Sequence, residues 1–150
     1  MKIKIYSTKK STFVVGEPQI RDILQEADAA VDVEVESPFK KDSMEITEDD
    51  CLVICEKVRS DPYRHIIITH GTDTMIQTAK ILYSIPDKVI VLTGAMQPAA
   101  FKKTDAAFNI GSAILAVQIL APGIYVVMNG KVFDPNKLTK NLESDRFEEL

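Results

Sequence analysis

The sequence predicts an α/β fold, a three-layer and mostly parallel sheet of the flavodoxin or Rossmann type. Three observations carry that prediction. Strand-like runs alternate with helical periodicity along the whole chain. The runs around Ile66-Ile67-Ile68, Val89 to Leu92 and Ile124 to Met128 are continuously apolar, as in strands covered on both faces. No internal repeat, low-complexity tract or linker interrupts the alternation, so residues 1–150 read as one domain of strand–helix–strand units.

The elements follow in order. Ile3 and Ile5 alternate with lysines, which predicts a short first strand. Pro18 to Ala27 reads as a helix, with Pro18 suited to its first turn and Ile20, Ile23, Leu24 and Ala27 on one face. Val31, Val33 and Val35 alternate with acidic residues, the pattern of a strand with one wet face near a sheet edge. Thr47 is a good N-cap for the next helix, and Glu48, Asp49 and Asp50 crowd the positive end of its dipole. Leu52, Cys55 and Val58 give that helix its expected apolar stripe, and Asp61-Pro62 ends it.

The run 65–69 is a buried strand, followed by a helix with Met75, Ala79, Leu82 and Tyr83 at helical spacing. Val89 to Leu92 is the next buried strand. Asp105 to Leu120 reads as a long helix with Phe108, Leu115 and Ile119 facing inward, and Ile124 to Met128 is a third buried strand.

Composition narrows the function classes. The 150 residues are 45% hydrophobic and 27% charged, which fits a globular domain and excludes a disordered or collagen-like chain. Eighteen basic against 22 acidic residues leave a net charge of −4 with no basic run, so nucleic acid is not the expected partner. No run nears the roughly 20 apolar residues of a membrane helix, and Met1 to Ile5 is no signal-peptide core. A cytoplasmic protein without a membrane partner is expected. Cys51 and Cys55 are four apart on one helix and read as two buried structural thiols, in keeping with a reducing compartment. No histidine–cysteine cluster, P-loop or GxGxxG occurs, so neither a metal nor an organic cofactor is expected.

In an open parallel sheet, ligands bind beyond the carboxyl ends of the strands. The segments leaving those ends here are polar and glycine-rich: His70-Gly71-Thr72-Asp73-Thr74, then Thr93-Gly94-Ala95-Met96-Gln97-Pro98, then Asn129-Gly130. They deliver hydroxyls, a carboxylate, amides and backbone N–H groups to one edge, a setting for a ligand with an anionic group. The plainer reading is turn and cap chemistry, with Thr72, Asp73 or Thr74 capping the helix that follows.

The segment Ile66 to Met75, with its Thr-His-Gly-Thr-Asp-Thr-Met order, resembles the second signature of the L-asparaginase/glutaminase family. The likeness continues through Val91 to Pro98, where the family usually has Arg at the position of Gln97. It goes on through Thr104-Asp105-Ala106 with Asn109 and through Tyr125 to Gly130, and ends at Leu138-Thr139-Lys140, similar to the family's Val-Thr-Lys. The resemblance implies the larger, N-terminal α/β domain of a two-domain amidohydrolase. By it, Thr72, Asp73 and Lys140 take the places of the family's Thr-Asp-Lys triad. Amide hydrolysis asks for such a set: a hydroxyl made reactive by a neighbouring base, and a carboxylate to grip the substrate ammonium. Gly71, Gly94, Ala95 and Met96 are expected to line the substrate site, with backbone N–H groups beside the glycines for a carboxylate or oxyanion. Lys41-Asp42-Ser43-Met44 resembles the substrate-binding segment, so Asp42 or Ser43 is a further expected contact. His70 is read as structural and His65 as incidental.

Two departures from the family stand out. The first signature, Thr-Gly-Gly-Thr-Ile after the first strand, has no counterpart; Tyr6 to Gly16 runs there instead, with hydroxyls at Ser7, Thr8, Ser11 and Thr12. Phe13 falls where the family's mobile loop carries a tyrosine. The family's smaller C-terminal domain, which in a neighbouring subunit helps to complete the site, has no counterpart within these residues. An open cleft and uncovered apolar surface are then expected, and with them a homo-oligomer. The expected function is an asparaginase-like amidohydrolase acting on a small amide such as L-asparagine. The alternative is an aspartate- or asparagine-binding module that keeps the pocket without turnover.

Overall fold

The computed structural model describes residues 1–8, 14–39, 46–97 and 103–150. Its main sheet contains β1 (Lys2–Ser7), β2 (Asp32–Glu36), β3 (His65–Thr69), β4 (Val89–Thr93), β5 (Gly123–Met128) and β6 (Lys131–Phe133). Their order is β2-β1-β3-β4-β5-β6; the first five are parallel, and β6 folds back antiparallel on β5. Four α-helices are described: α1 (Glu17–Glu26), α2 (Glu48–Ser60), α3 (Met75–Ile81) and α4 (Ala106–Ile119). A separate antiparallel hairpin, β7 (Leu138–Asn141) and β8 (Arg146–Glu149), closes the chain. The order 2-1-3-4-5 is that of flavodoxin-like sheets, in which the strand order reverses between β1 and β3 and leaves a crevice there.

The expected α/β class holds. Period-two alternation along apolar strands explains the two cores. Ile66, Ile68, Ile90 and Leu92 face α2 and α3, where they meet Ile54, Cys55, Val58, Met75 and Ala79. Ile67, Val89 and Val91 face α1 and α4, where they meet Ile20, Ile110, Ala113 and Val117. The alternating valine strand is β2, at the sheet edge as its pattern implies. Thr47 caps α2 in a full capping box, exchanging bonds with Asp50. Cys51 and Cys55 are buried and free. Lys4 is buried as well and is paired at 2.9 Å with Glu36 on the neighbouring β2. Among the described residues, no helix is long and apolar enough to cross a membrane.

One inward face was misread. Phe108, Leu115 and Ile119 are 61%, 62% and 74% exposed, while Ala106, Asn109, Ile110, Ala113, Ala116 and Val117 are buried. No residue of α4 is charged, so periodicity alone offers two apolar faces. Close approach to a flat parallel sheet selects the face with small side chains, and the three bulky ones turn outward. Smaller corrections share this origin. Leu52 is half exposed because the stripe of α2 is Cys51, Ile54, Cys55 and Val58. Ala27 is the exposed C-cap of α1, and Tyr83 leaves α3 for a 3-10 turn where its hydroxyl donates to Asp134.

Candidate active site

The site forms where β3 and β4 end and the β7–β8 hairpin folds over them. The sixth residue after the end of β3 begins α3, and Thr74, its N-cap, makes no side-chain capping bond. Thr72 and Asp73 point elsewhere. The Lys140 ammonium donates to Thr72 Oγ1 at 3.0 Å and to Asp73 Oδ1 at 2.8 Å. Its side chain is only 15% exposed, whereas that of Asp73 is 85% exposed. Residues 68 positions apart in sequence thus meet at the strand-end edge.

The hairpin makes this reach possible. Lys140 lies opposite Phe147 in the β7–β8 register, so the two strands hold it in place. Leu138 and Phe147 are buried in the main core with Phe133, whose ring lies 6.5 Å from that of Phe147. The turn between the strands puts Asp145 in the left-handed region at φ 52°, and its carboxylate returns to within 3.5 Å of the Lys140 ammonium. Lysine between two carboxylates serves as a donor in this arrangement.

The β4 end is built by Asp105, which the sequence reading passed over as a site-forming residue. Its carboxylate accepts the N–H groups of Met96 and Gln97, each at 3.1 Å, so the Met96 N–H is already engaged. It also accepts from Asn109 Nδ2 at 2.9 Å and Asn129 Nδ2 at 3.3 Å. Asn109 in turn donates to the Gly94 carbonyl at 2.8 Å and accepts the Asn129 N–H at 2.9 Å. One buried amide and one carboxylate therefore tie the loop after β4 to α4 and to the end of β5. Asp105 forgoes capping its own helix to do this. The i, i+4 spacing of Asp105 and Asn109 at a helix start was the available signal.

Gly94 lies against the main chain of His70, whose own N–H donates to the Thr93 carbonyl at 2.9 Å. Ala95 is buried and Met96 half-buried, while Gly71 is half-buried with room around its Cα. Ser7 and Thr8 are not free hydroxyls. Ser7 donates to the Val15 carbonyl at 3.2 Å and Thr8 to the Thr69 carbonyl at 2.6 Å, both fully buried. Asp42 and Ser43, with Ser11, Thr12 and Phe13, lie outside the described residues.

A hydroxyl, an ammonium and two carboxylates thus share one strand-end notch beside glycine-rich backbone. Such a set can grip an amino acid and present a nucleophile to it.

The family described as asparaginase, N-terminal, matches residues 3–149. L-asparaginase 2 of Escherichia coli strain K12 is 31% identical over 156 residues, an alignment covering 93% of this chain and 43% of that protein. Two solved structures superpose over nearly the whole chain. The thermostable L-asparaginase from Thermococcus kodakarensis does so with a TM-score of 0.81 and 28% identity, over 100% of this chain and 51% of its own. A probable cytoplasmic L-asparaginase from Campylobacter jejuni gives 0.83 and 27%, over 99% of this chain and 51% of its own. The chain therefore spans about half the length of these relatives.

Proposed function

The chain belongs to the asparaginase family through its N-terminal domain, and on that premise we propose that it hydrolyses a small amide such as L-asparagine to the acid and ammonia. The observation that carries this reading is the joint contact of Lys140 with Thr72 and Asp73, at 3.0 and 2.8 Å.

In the proposed reaction, Asp73 grips the substrate α-ammonium by a charge-assisted bond, its exposure leaving it open to solvent-borne ligand. Lys140, once it has given up a proton, takes that of the Thr72 hydroxyl while the oxygen attacks the amide carbon. The C–N bond then breaks, the amide nitrogen takes up the proton, and ammonia leaves. Water hydrolyses the resulting ester and returns the hydroxyl to Thr72. Backbone N–H groups near Gly71 and Gly94 receive the oxyanion. Ala95, Met96, Asp42 and Ser43 complete the substrate contacts in this reading.

A second reading has its own support. Asp145 supplies Lys140 with another carboxylate at 3.5 Å, which suits a lysine that binds more than one that abstracts protons. On that basis the chain is an aspartate- or asparagine-binding module. Ammonia release from asparagine and glutamine separates the two. Release that disappears in Thr72→Val supports the hydrolase. Thermal stabilisation by aspartate without any ammonia supports the module.

We further propose a homo-oligomer in the cytoplasm. The outward apolar stripe of α4 and the buried free thiols support these two parts respectively.

A further inference from the structure

His70 is fully buried, yet both of its ring nitrogens are engaged. Nδ1 lies 2.8 Å from the Gly71 carbonyl oxygen, and Nε2 lies 2.8 Å from Thr78 Oγ1 on α3. Thr78 Oγ1 is in turn 3.3 Å from Cys51 Sγ on α2. The polarity of this chain follows by elimination. A carbonyl only accepts, so Nδ1 carries the proton. Burial keeps the ring neutral, so Nε2 is bare and the Thr78 hydroxyl donates to it. The Thr78 oxygen is then left to accept from the Cys51 thiol.

The end of the chain is the Gly71–Thr72 peptide. A peptide that follows glycine is the easiest to turn over, because no Cβ restricts the dihedral on its N-terminal side. The Gly71 Cα has room beside it: among the described residues, a Cβ there would meet Val14 Cγ2 at 3.7 Å. In a trans peptide the C=O and N–H point in opposite directions. With the Gly71 carbonyl held inward by His70, the Thr72 N–H points away from the buried ring. The next atoms along the chain are those of Thr72, whose hydroxyl faces Lys140.

We propose that His70 is a positioning residue: its Nδ1–H, fixed by the Thr78 hydroxyl and Cys51 thiol, clamps the Gly71 carbonyl and aims the Thr72 N–H out of the core as a donor for the ligand. This deepens the hydrolase reading and rests on it for its catalytic consequence. The clamp itself is independent of turnover. It assigns the buried histidine of the motif a task that neither packing nor proton transfer supplies. It also gives Thr78 and Cys51, on two helices behind the sheet, a hold on the reacting loop.

The first test is the tautomer, read by two-bond proton–nitrogen NMR on histidine-labelled protein. His70 should show Nδ1 protonated and Nε2 bare throughout the neutral pH range, and Thr78→Val should let the other tautomer appear. The Nε2–H form in the unaltered chain overturns the proposal. The second test compares His70→Asn, whose amide N–H₂ falls near the Nδ1 position, with His70→Gln, whose amide reaches the Nε2 position. Losing one backbone donor to an oxyanion predicts that His70→Gln lowers kcat about 100-fold with little change in KM. His70→Asn should recover most of it. If the chain releases no ammonia, the hydrolase reading fails alone and Thr72 amide hydrogen exchange decides. It should slow in His70→Gln, where the unclamped peptide can turn its N–H inward, and not in His70→Asn. Equal exchange in both variants overturns the clamp. Should His70→Gln not fold, the tautomers of the unaltered chain and of Thr78→Val settle the matter.

Discussion

Gly94 sits so close to the His70 carbonyl that a Cβ built on it would stand 2.3 Å from that oxygen. Two strand ends are thereby pressed together, backbone to backbone, at the floor of the candidate site. Neither partner can yield: the His70 N–H is bonded to Thr93, and Asn109 holds the Gly94 carbonyl. Gly94→Ala should therefore destabilise the fold by about 3 kcal/mol, at the upper end of what overpacked cores show. Urea unfolding measures it, and a change within error would contradict the contact.

Replacing Lys140 separates architecture from chemistry. Methionine keeps the unbranched stem that the site buries around Lys140, which is only 15% exposed, so Lys140→Met should leave the unfolding midpoint almost unchanged. If Thr72 depends on it as a base, ammonia release should fall by about 1,000-fold or more, as in other coupled nucleophile–base sets. Retained turnover in Lys140→Met, measured by coupled ammonia assay, would remove the lysine from the mechanism.

Burial holds the His70 imidazole below its ordinary value of 6.5, against the smaller opposing effect of the Gly71 carbonyl. As pH falls, the unfolded chain therefore binds this proton before the folded one does. The contribution is fully present above 6.5 and is lost as pH drops below it toward the folded value. The slope is at most about 1.4 kcal/mol per pH unit for one group. Urea midpoints measured against pH should fall on the acid side of neutrality, and His70→Asn should flatten that fall. Parallel curves for the two proteins would contradict it.

Asp105 accepts four bonds that fasten three segments. Asp105→Ala leaves two backbone donors and two amides short of a partner, at a cost of about 2–4 kcal/mol. Asp105→Asn, which keeps one acceptor oxygen, should fall between. Calorimetry of the three proteins gives the ranking, and aspartate affinity should follow it.

The apolar stripe of α4 predicts self-association. Leu115→Glu and Ile119→Glu, at exposed positions, should alter stability by no more than about 0.5 kcal/mol. Light scattering should show the unaltered chain as an oligomer and the doubly altered chain as a monomer. A monomeric unaltered chain would sink the idea.

Much of this fold could be read from the residues because period-two and helical patterns record burial directly. The strands at 65–69, 89–93 and 123–128 are apolar on both faces and could only be central. The wet valine strand could only be near an edge. The same rule failed on α4, where apolar residues surround the helix and side-chain size, set by the distance to the sheet, chose the buried face. The site divides in a similar way. Thr72 and Asp73 are adjacent in one motif, while Lys140 is linked to them only by resemblance, since nothing local in 138–140 speaks of residue 72. The site roles of Asp105 and Asp145 cannot be read locally because they depend on tertiary reach: one bends back over a loop, the other over a hairpin turn. His70 was legible as structural. Its link to Cys51 through Thr78 required knowing that α2 and α3 lie side by side.

The lysine does not belong to the parallel sheet at all. It rides on a two-stranded hairpin attached to the main core by Leu138 and Phe147, which pack there with Phe133. A unit that small opens more readily than the sheet beneath it. Each opening takes the ammonium away from Thr72 and leaves the rest folded. In the proposed hydrolase, competence is then a two-state property of a local latch, and in rising denaturant ammonia release should disappear before the far-ultraviolet signal of the sheet does.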